Sequence, residues 1–356
     1  MDAMAPLHPQ VDDGRVCKHR RAASDPHWRH HPCTPAPDFG PPHNLEHDPE
    51  FWFEDGSVVL ITQNISFRVY KRLLAEHSPF FRDLFRIPQP IPAQKIEGCP
   101  LVVLSNYACQ FRHFLHALFP TKGNLIFSAR QDHLSMDALS AVVLLAHKYQ
   151  VDQLIAEGLA HLMEYYTDDF AEWTKPDRCT CLAPAPLDTI SVINIAHLTN
   201  TSSVLPLAFL NVCTIGGPIL KGVLHGEQWC FAEGLAMPDL ERVLDSRPAM
   251  MAYTSKAVAR IFKPDAQGYG AGRCGSSRCQ RAFTSKAEEM EELLSLLYAE
   301  GMERCWAEEL KNKSRTGWTI CERCRDMVEK RDVNERKAFW NQLPKFFGLE
   351  VEGWSA

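Results

Sequence analysis

DGSVVLITQNISFRVYKRLLAEHSPFFRDLF, residues Asp55 to Phe85, carries the signals that decide how this chain folds. Asp55-Gly56 is a turn pair, because glycine tolerates positive φ and aspartate bonds to its own backbone. Phe51, Trp52 and Phe53 precede it, and Val58, Val59, Leu60 and Ile61 follow. Two β-prone runs divided by Asp-Gly predict a hairpin. Asn64 marks a break before Phe67-Arg68-Val69, which reads as a second short strand or a helix start. Leu73 and Leu74 fall at helical spacing from Tyr70. Ser78-Pro79 signals a helix start, since serine caps free N–H groups and proline fits the first helical position. Phe81, Leu84 and Phe85 then form one apolar helical face. The stretch holds no catalytic constellation and reads as the opening of a protein-interaction fold.

Working outward, Ile87 to Pro100 is a connector with prolines at 88, 90, 92 and 100. Leu101 to Leu104 reads as a short buried strand. Asn106 is placed to cap a helix with Phe111, Phe114, Leu115 and Leu118 on one face, and Pro120 ends it. Two more amphipathic helices follow, Ala138 to Tyr149 and Val151 to Tyr165. This order resembles the BTB/POZ domain, an α+β fold in which helical hairpins enclose a small sheet. The resemblance rests on Asp55, Phe67, Leu74, Ser78-Pro79, Phe81 and Phe85. Lys71 fits the family pattern, whereas Tyr70 stands where the family usually has histidine. The whole chain is similar to BTB/POZ proteins expanded in mushroom-forming (basidiomycete) fungi, through Leu145 to Tyr149, Leu205 to Phe209 and Phe339 to Pro344.

The resemblance implies a non-enzymatic interaction module that self-associates or recruits protein partners. Its motif positions Asp55, Phe67, Lys71, Ser78, Phe81 and Phe85 become candidate interface residues. The dimer side would be Phe51 to Leu60 with Phe67 to Ala75, and Asp55 and Lys71 would line a charged pocket there. Family adaptors of cullin-type ubiquitin ligases often carry a hydrophobic-x-Glu motif in the connector. Here Ile96 and Glu97 are adjacent, a departure from that pattern. Cullin adaptor and transcriptional regulator are the alternative roles.

The chain has 356 residues, enough for two ordinary domains, and is 45% hydrophobic and 23% charged, an ordinary globular balance. A net charge of -6 argues against a nucleic-acid scaffold, which needs clustered Lys and Arg. Met1 to Gln10 lacks the apolar core of a signal peptide. Val204 to Leu220 is broken by Pro206 and Gly216-Gly217-Pro218, so it reads as a buried helix and turn and no membrane span is expected. The expected compartment is cytoplasm or nucleus. Residues 1–47 form a Pro/His-rich tail, with His8, His19, His27, His30, His31, His43 and His47, and are expected to be disordered. Residues 48–170 form the BTB-like domain, 171–186 a polar linker, and 187–356 a mostly helical region.

Thirteen cysteines without a secretory signal point away from a disulfide framework. Cys274-x4-Cys279 and Cys321-x2-Cys324 are two close pairs that would close a tetrahedral four-thiolate site, a structural zinc. Arg273, Arg278 and Arg323 nearby favour thiolate. Residues 280–320 separate the pairs, a longer gap than in a zinc ribbon, so free buried thiols and a redox disulfide stay open, with Cys305 a substitute ligand. Four cysteines leave no open position for catalytic water. Cys179-x-Cys181 is assigned no role.

The remainder reads as helical. Ile190, Ile193 and His197 repeat at helical spacing, with His197 a satisfied interior or edge histidine. Met290, Leu293, Leu294 and Leu297 mark an amphipathic helix, with Glu288, Glu289, Glu291 and Glu292 near its start. Gly268 to Gly275 lacks the Lys-Ser/Thr of a phosphate loop. Arg323, Arg325, Lys330, Arg331, Arg336 and Lys337 alternate with acids and read as an ion-paired, solvated face rather than a DNA-reading element. Phe339, Trp340, Leu343, Phe346, Phe347, Leu349 and Trp354 form an apolar tail expected to pack back onto the helices, or else to dock in a partner groove. No nucleophile elbow, His-Glu-x-x-His, P-loop or dinucleotide fingerprint occurs, so no enzymatic activity is expected.

Overall fold

A computed structural model describes residues 45–88, 95–119, 134–175, 182, 184–225, 231–263, 274–294 and 320–354. The histidines up to His43, Pro90, Pro92, Pro120, Cys179, Cys181, most of the glycine-rich stretch, Leu297 and Cys305 lie outside the described residues. Within them the mixed α/β order expected from the sequence is present. Five strands come first in the chain, β1 (Glu46–Trp52), β2 (Val58–Thr62), β3 (Ile65–Val69), β4 (Lys95–Ile96) and β5 (Cys99–Leu104), and they form one sheet in the order β1-β3-β2-β5-β4.

β2 is central, and all five of its residues are buried. Its side chains alternate between two clusters, Val58 and Leu60 facing one and Val59 and Ile61 the other. A strand covered on both faces has no reason to alternate polar with apolar, which is why VVLI reads as one unbroken apolar run. The expected hairpin across Asp55-Gly56 is corrected here. β1 pairs with β3, in parallel, and the hairpin partner of β2 is β3, antiparallel from Val58↔Val69 to Thr62↔Ile65. The tight turn falls at Gln63-Asn64, with Gln63 at φ 53°. The physical reason is that a two-residue turn closes β2 onto β3 first, and β5 takes the other edge of β2 in parallel. β1 is left to reach the free edge of β3. The Asp-Gly turn serves as the crossing point, where Arg68 Nε donates to Gly56 O at 3.1 Å and Phe53 N donates to Arg68 O at 2.9 Å. A Cβ on Gly56 would lie 2.7 Å from Arg68 Cγ, so the close crossing requires glycine. β1 begins at Glu46, inside the expected tail, and Asp48 is fully buried, where it accepts from the backbone N–H of Glu50 and of Phe51 and pairs with Arg112 at 2.8 Å.

Helices α1 (Lys71–His77) and α2 (Pro79–Leu84) follow, then α3 (Ala108–Leu118), α4 (Met136–Tyr149) and α5 (Asp152–Tyr165). Ser78 does what the sequence predicts. Its hydroxyl accepts from Phe81 N at 3.1 Å, capping α2, and it also donates to Tyr149 O at 2.6 Å. Asn106 does not cap α3; it is buried against the Tyr149 hydroxyl and Lys148, and Gln63 Oε1 accepts from Ala108 N instead. The α4 helix is apolar nearly all round because it has a core on each side. Val142, Leu145, Ala146 and Tyr149 face the sheet cluster, whereas Leu139 and Val143 face a second, larger one.

That second cluster takes in Leu162 and Tyr166, the buried Leu182, and then α7 (Thr189–Thr199) and α8 (Leu205–Ile215), after the short α6 (Phe170–Trp173). The same apolar cluster therefore includes described residues before, within and after the 171–186 segment. A two-strand ribbon, β6 (Val223–His225) with β7 (Phe231–Glu233), precedes the long α9 (Met237–Phe262). Among the described residues the last two helices are α10 (Ser277–Leu294) and α11 (Glu322–Phe346). α10 starts at Ser277, well before the acids at 288–292, which sit toward its described end rather than its start. α11 runs along α9, fixed by a two-point ion pair of Arg260 with Glu335 at 2.7 and 2.6 Å. Its expected solvated face is also corrected: Asp332 and Arg336 are buried, because α11 is covered by neighbours on more than one side. Phe339, Trp340, Leu343 and Phe347 enter the large core, and Trp354 stacks on Trp340 with centroids 4.4 Å apart. The apolar tail thus packs back on the helices. His197 pairs with Asp239 of α9 at 3.0 Å. Among the described residues no helix is long and apolar enough to cross a membrane.

Candidate metal centre

The four predicted cysteines converge. Sγ atoms of Cys274, Cys279, Cys321 and Cys324 all lie within 4.8 Å of one another. Tetrahedral Zn–S bonds of about 2.3 Å place sulfurs about 3.8 Å apart, so the set is close to the spacing one ion needs. Cys274 and Cys321 approach to 3.5 Å, far beyond a disulfide bond of about 2.05 Å. All four are free thiols.

Local structure explains the convergence. Cys274 lies just ahead of α10 and Cys279 in its first turn, while Cys321 is the N-cap of α11 and Cys324 sits in its first turn. Two helix N-termini thus point their free N–H groups and positive dipole ends at one cluster of sulfurs, which favours thiolate at Cys321, whereas burial pushes the Cys324 thiol up. The N–H of Cys321 donates to Cys279 Sγ at 3.2 Å, that of Cys324 to Cys321 Sγ, and that of Ser276 to Cys274 Sγ. The Cys324 N–H is the main reason the Cys321 thiol is brought down to about 7. Behind the sulfurs is a small separate core of Val258, Ile261, Phe262, Phe283, Met327 and Val328. An ion here would join α10 to α11 against the end of α9.

The resemblance-derived interface residues divide in two. Phe67, Ser78 and Phe81 are fully buried within their own chain, so they hold the core and cannot touch a partner. The cause is the packing of helices on the sheet: Phe67 of β3 faces Phe111 of α3 at 5.2 Å, and Phe81 of α2 faces Tyr149 of α4 at 4.6 Å. Asp55, Lys71 and Phe85 are nearer the surface, but Asp55 and Lys71 are engaged separately. The Tyr70 hydroxyl donates to Asp55 at 2.7 Å, which pushes its own ionisation up. Lys71 Nζ reaches Phe85 O at 3.5 Å and lies 5.1 Å from that ring. Glu97, the acid of the connector, is paired with Arg68 at 2.7 Å.

A third polar cluster gave no sequence signal. Ser191 Oγ, His225 Nε2 and Glu233 Oε2 lie within 3.1 Å of one another, and His225 Nδ1 is 2.6 Å from Asp137. The residues come from α4, α7 and the β6–β7 ribbon with no common spacing, so only the fold brings them together. The Ser191–His225–Asp137 line has the order of a hydrolase triad. Ser191 is fully buried, however, and its hydroxyl is spent on Glu233 at 2.6 Å. A cavity of about 420 Å³ nearby is walled by Tyr165, Tyr166, Trp173, Asn211 and Arg336 among others, but by neither Ser191 nor His225. The chain matches no protein-family model and no curated protein sequence.

Proposed function

We propose that this chain is a non-catalytic protein-interaction module of the BTB/POZ kind, whose helical second half carries a four-cysteine structural zinc. The observation that supports self-association most directly is Leu73. It lies in α1, within the Phe67 to Ala75 segment expected on the dimer side, and stays 37% exposed while Leu74 beside it is fully buried. An apolar side chain presented to solvent beside the one buried residue of its helix is what an interface needs at its centre. Zinc is supported by the sulfur spacing and by the three backbone N–H groups aimed at the sulfurs, a donor set suited to a soft tetrahedral cation. The cullin-adaptor reading draws less support, because Glu97 is held by Arg68 of its own sheet.

Light scattering on the eluting full-length protein tests self-association. We expect a dimer at micromolar concentration, and a monomer with unchanged circular dichroism for Leu73→Glu. A wild-type chain that stays monomeric throughout that range sinks the self-association reading.

A further inference from the structure

His225 is 2% exposed, yet both of its ring nitrogens face carboxylates. Nδ1 is 2.6 Å from Asp137 Oδ1 and Nε2 is 2.8 Å from Glu233 Oε2. A neutral imidazole has one N–H and would turn a lone pair toward the other acid; only the imidazolium donates to both. Every element packed around the ring contributes. Asp137 comes from the first turn of α4, and Asp188 from the turn entering α7 adds negative charge. On α7 itself the facing groups are neutral: Ser191 donates to Glu233 Oε2, and Asn194 donates to Glu233 Oε1 at 2.7 Å and to Gly234 O at 3.1 Å. One cation therefore sits among acids from α4, β7 and the α7 entry, and it is the group that joins them.

We propose that protonated His225 is the key of a pH-sensitive latch that holds the β6–β7 ribbon onto α4 and α7, and that loss of its proton releases the ribbon. The ribbon is also fixed by backbone fit. Gly222 has φ 73°, and a Cβ there would meet Glu233 O at 2.3 Å, so β7 and its glutamate lie hard against the start of β6. The ribbon carries the exposed Leu224 and is flanked in sequence by the exposed Leu220 and Met237, so release rearranges apolar surface.

The signs follow from linkage. Burial acts to lower the pKa of His225, but its bonds to Glu233 and Asp137 outweigh this and raise it above the ordinary 6.5. The latch's contribution is full below about 6.5 and is lost as pH rises through the raised value. Burial acts to raise Glu233, but the bonds from His225, Ser191 and Asn194 leave it below 4.5. Its contribution is lost only as pH falls through that depressed value. The latch is closed below the raised pKa of His225 and opens on alkalinisation through it.

The test uses the full chain with ring-labelled histidine, followed by NMR, alongside hydrogen exchange of peptides covering 223–225 and 231–233. His225→Gln, which keeps one donor, assigns the His225 signal. We expect that signal to titrate above 6.5 in the wild type. Ribbon protection, corrected for intrinsic exchange, should drop on the order of tenfold per unit of pH above that midpoint. Glu233→Gln keeps an acceptor oxygen for Asn194, turns its amide N–H toward Ser191 and His225, and should move the His225 midpoint and the protection loss together to lower pH. His225 titrating at or below 6.5, or ribbon protection that does not follow its midpoint, overturns the proposal. If His225→Gln fails to fold, the wild-type and Glu233→Gln titrations still decide it.

Discussion

Tyr149 lies at the centre of the sheet core, with Phe81, Phe111 and Phe114 at ring distances of 4.6, 6.3 and 5.4 Å, and side chains of the helices and of β2 and β3 complete the cover around them. Cys324 is equally buried, but its surroundings are a handful of apolar side chains where α9, α10 and α11 meet. The first region can hold itself together by burial alone, each large apolar side chain contributing about 1.5–3 kcal/mol. The second has too little apolar surface for that and brings four thiols to one point instead. The difference teaches where to look for ligand dependence: not in the aromatic core but at the tip with the small one.

Two substitutions break the comparison at its extremes. Phe111→Ala removes a fully buried ring between β3 and α4 and should cost about 3–5 kcal/mol in denaturant unfolding, with or without chelator. Cys324→Ser should abolish stoichiometric zinc binding, measured by native mass spectrometry, and leave the sheet core's exchange protection intact. Wild-type stability of the tip should rise by about 2.7 kcal/mol when zinc is present at a hundredfold excess over its Kd, and Cys324→Ser should lose this response. A wild-type protein purified from zinc-containing medium with no metal would remove the centre.

Legibility in the sequence followed the range of the interactions. Ser78-Pro79, the apolar faces of α3 and α4, and the two cysteine pairs are local signals, and each reads correctly because a cap, a helix face or a knuckle is decided within a few residues. The partner of β1 was misread because Phe51-Trp52-Phe53 and Val58 to Ile61 fit a hairpin locally, and only the competition for the edges of β2 assigns them otherwise. Gln63 takes the capping role expected of Asn106 because a buried Tyr149 hydroxyl from far along the chain holds Asn106. The buried positions of α11 were missed since charge alternation is also what a helix shows when one Arg stacks on a tryptophan, as Arg336 does on Trp173 at 5.1 Å. His225 was invisible, as its partners stand 88, 34 and 8 residues away.

Ser78 sharpens the comparison at its smallest scale. In the sheet half, a helix N-terminus is satisfied by one hydroxyl, which accepts from Phe81 N and donates to Tyr149 O. At the tip, two helix N-termini are satisfied by sulfur. Ser78→Ala should therefore cost about 1–2 kcal/mol, the sum expected for a lost N-cap and a weakened buried hydrogen bond, and chelator should not change that figure. Thr in its place keeps the cap but must fit an extra methyl at a site with no exposed surface, so Ser78→Thr should fall between the two. If Ser78→Ala were neutral in denaturant titration, the α2 cap would carry no weight, and the Ser-Pro signal that opened the reading of the sheet half would mark only where the helix begins, not what holds it there.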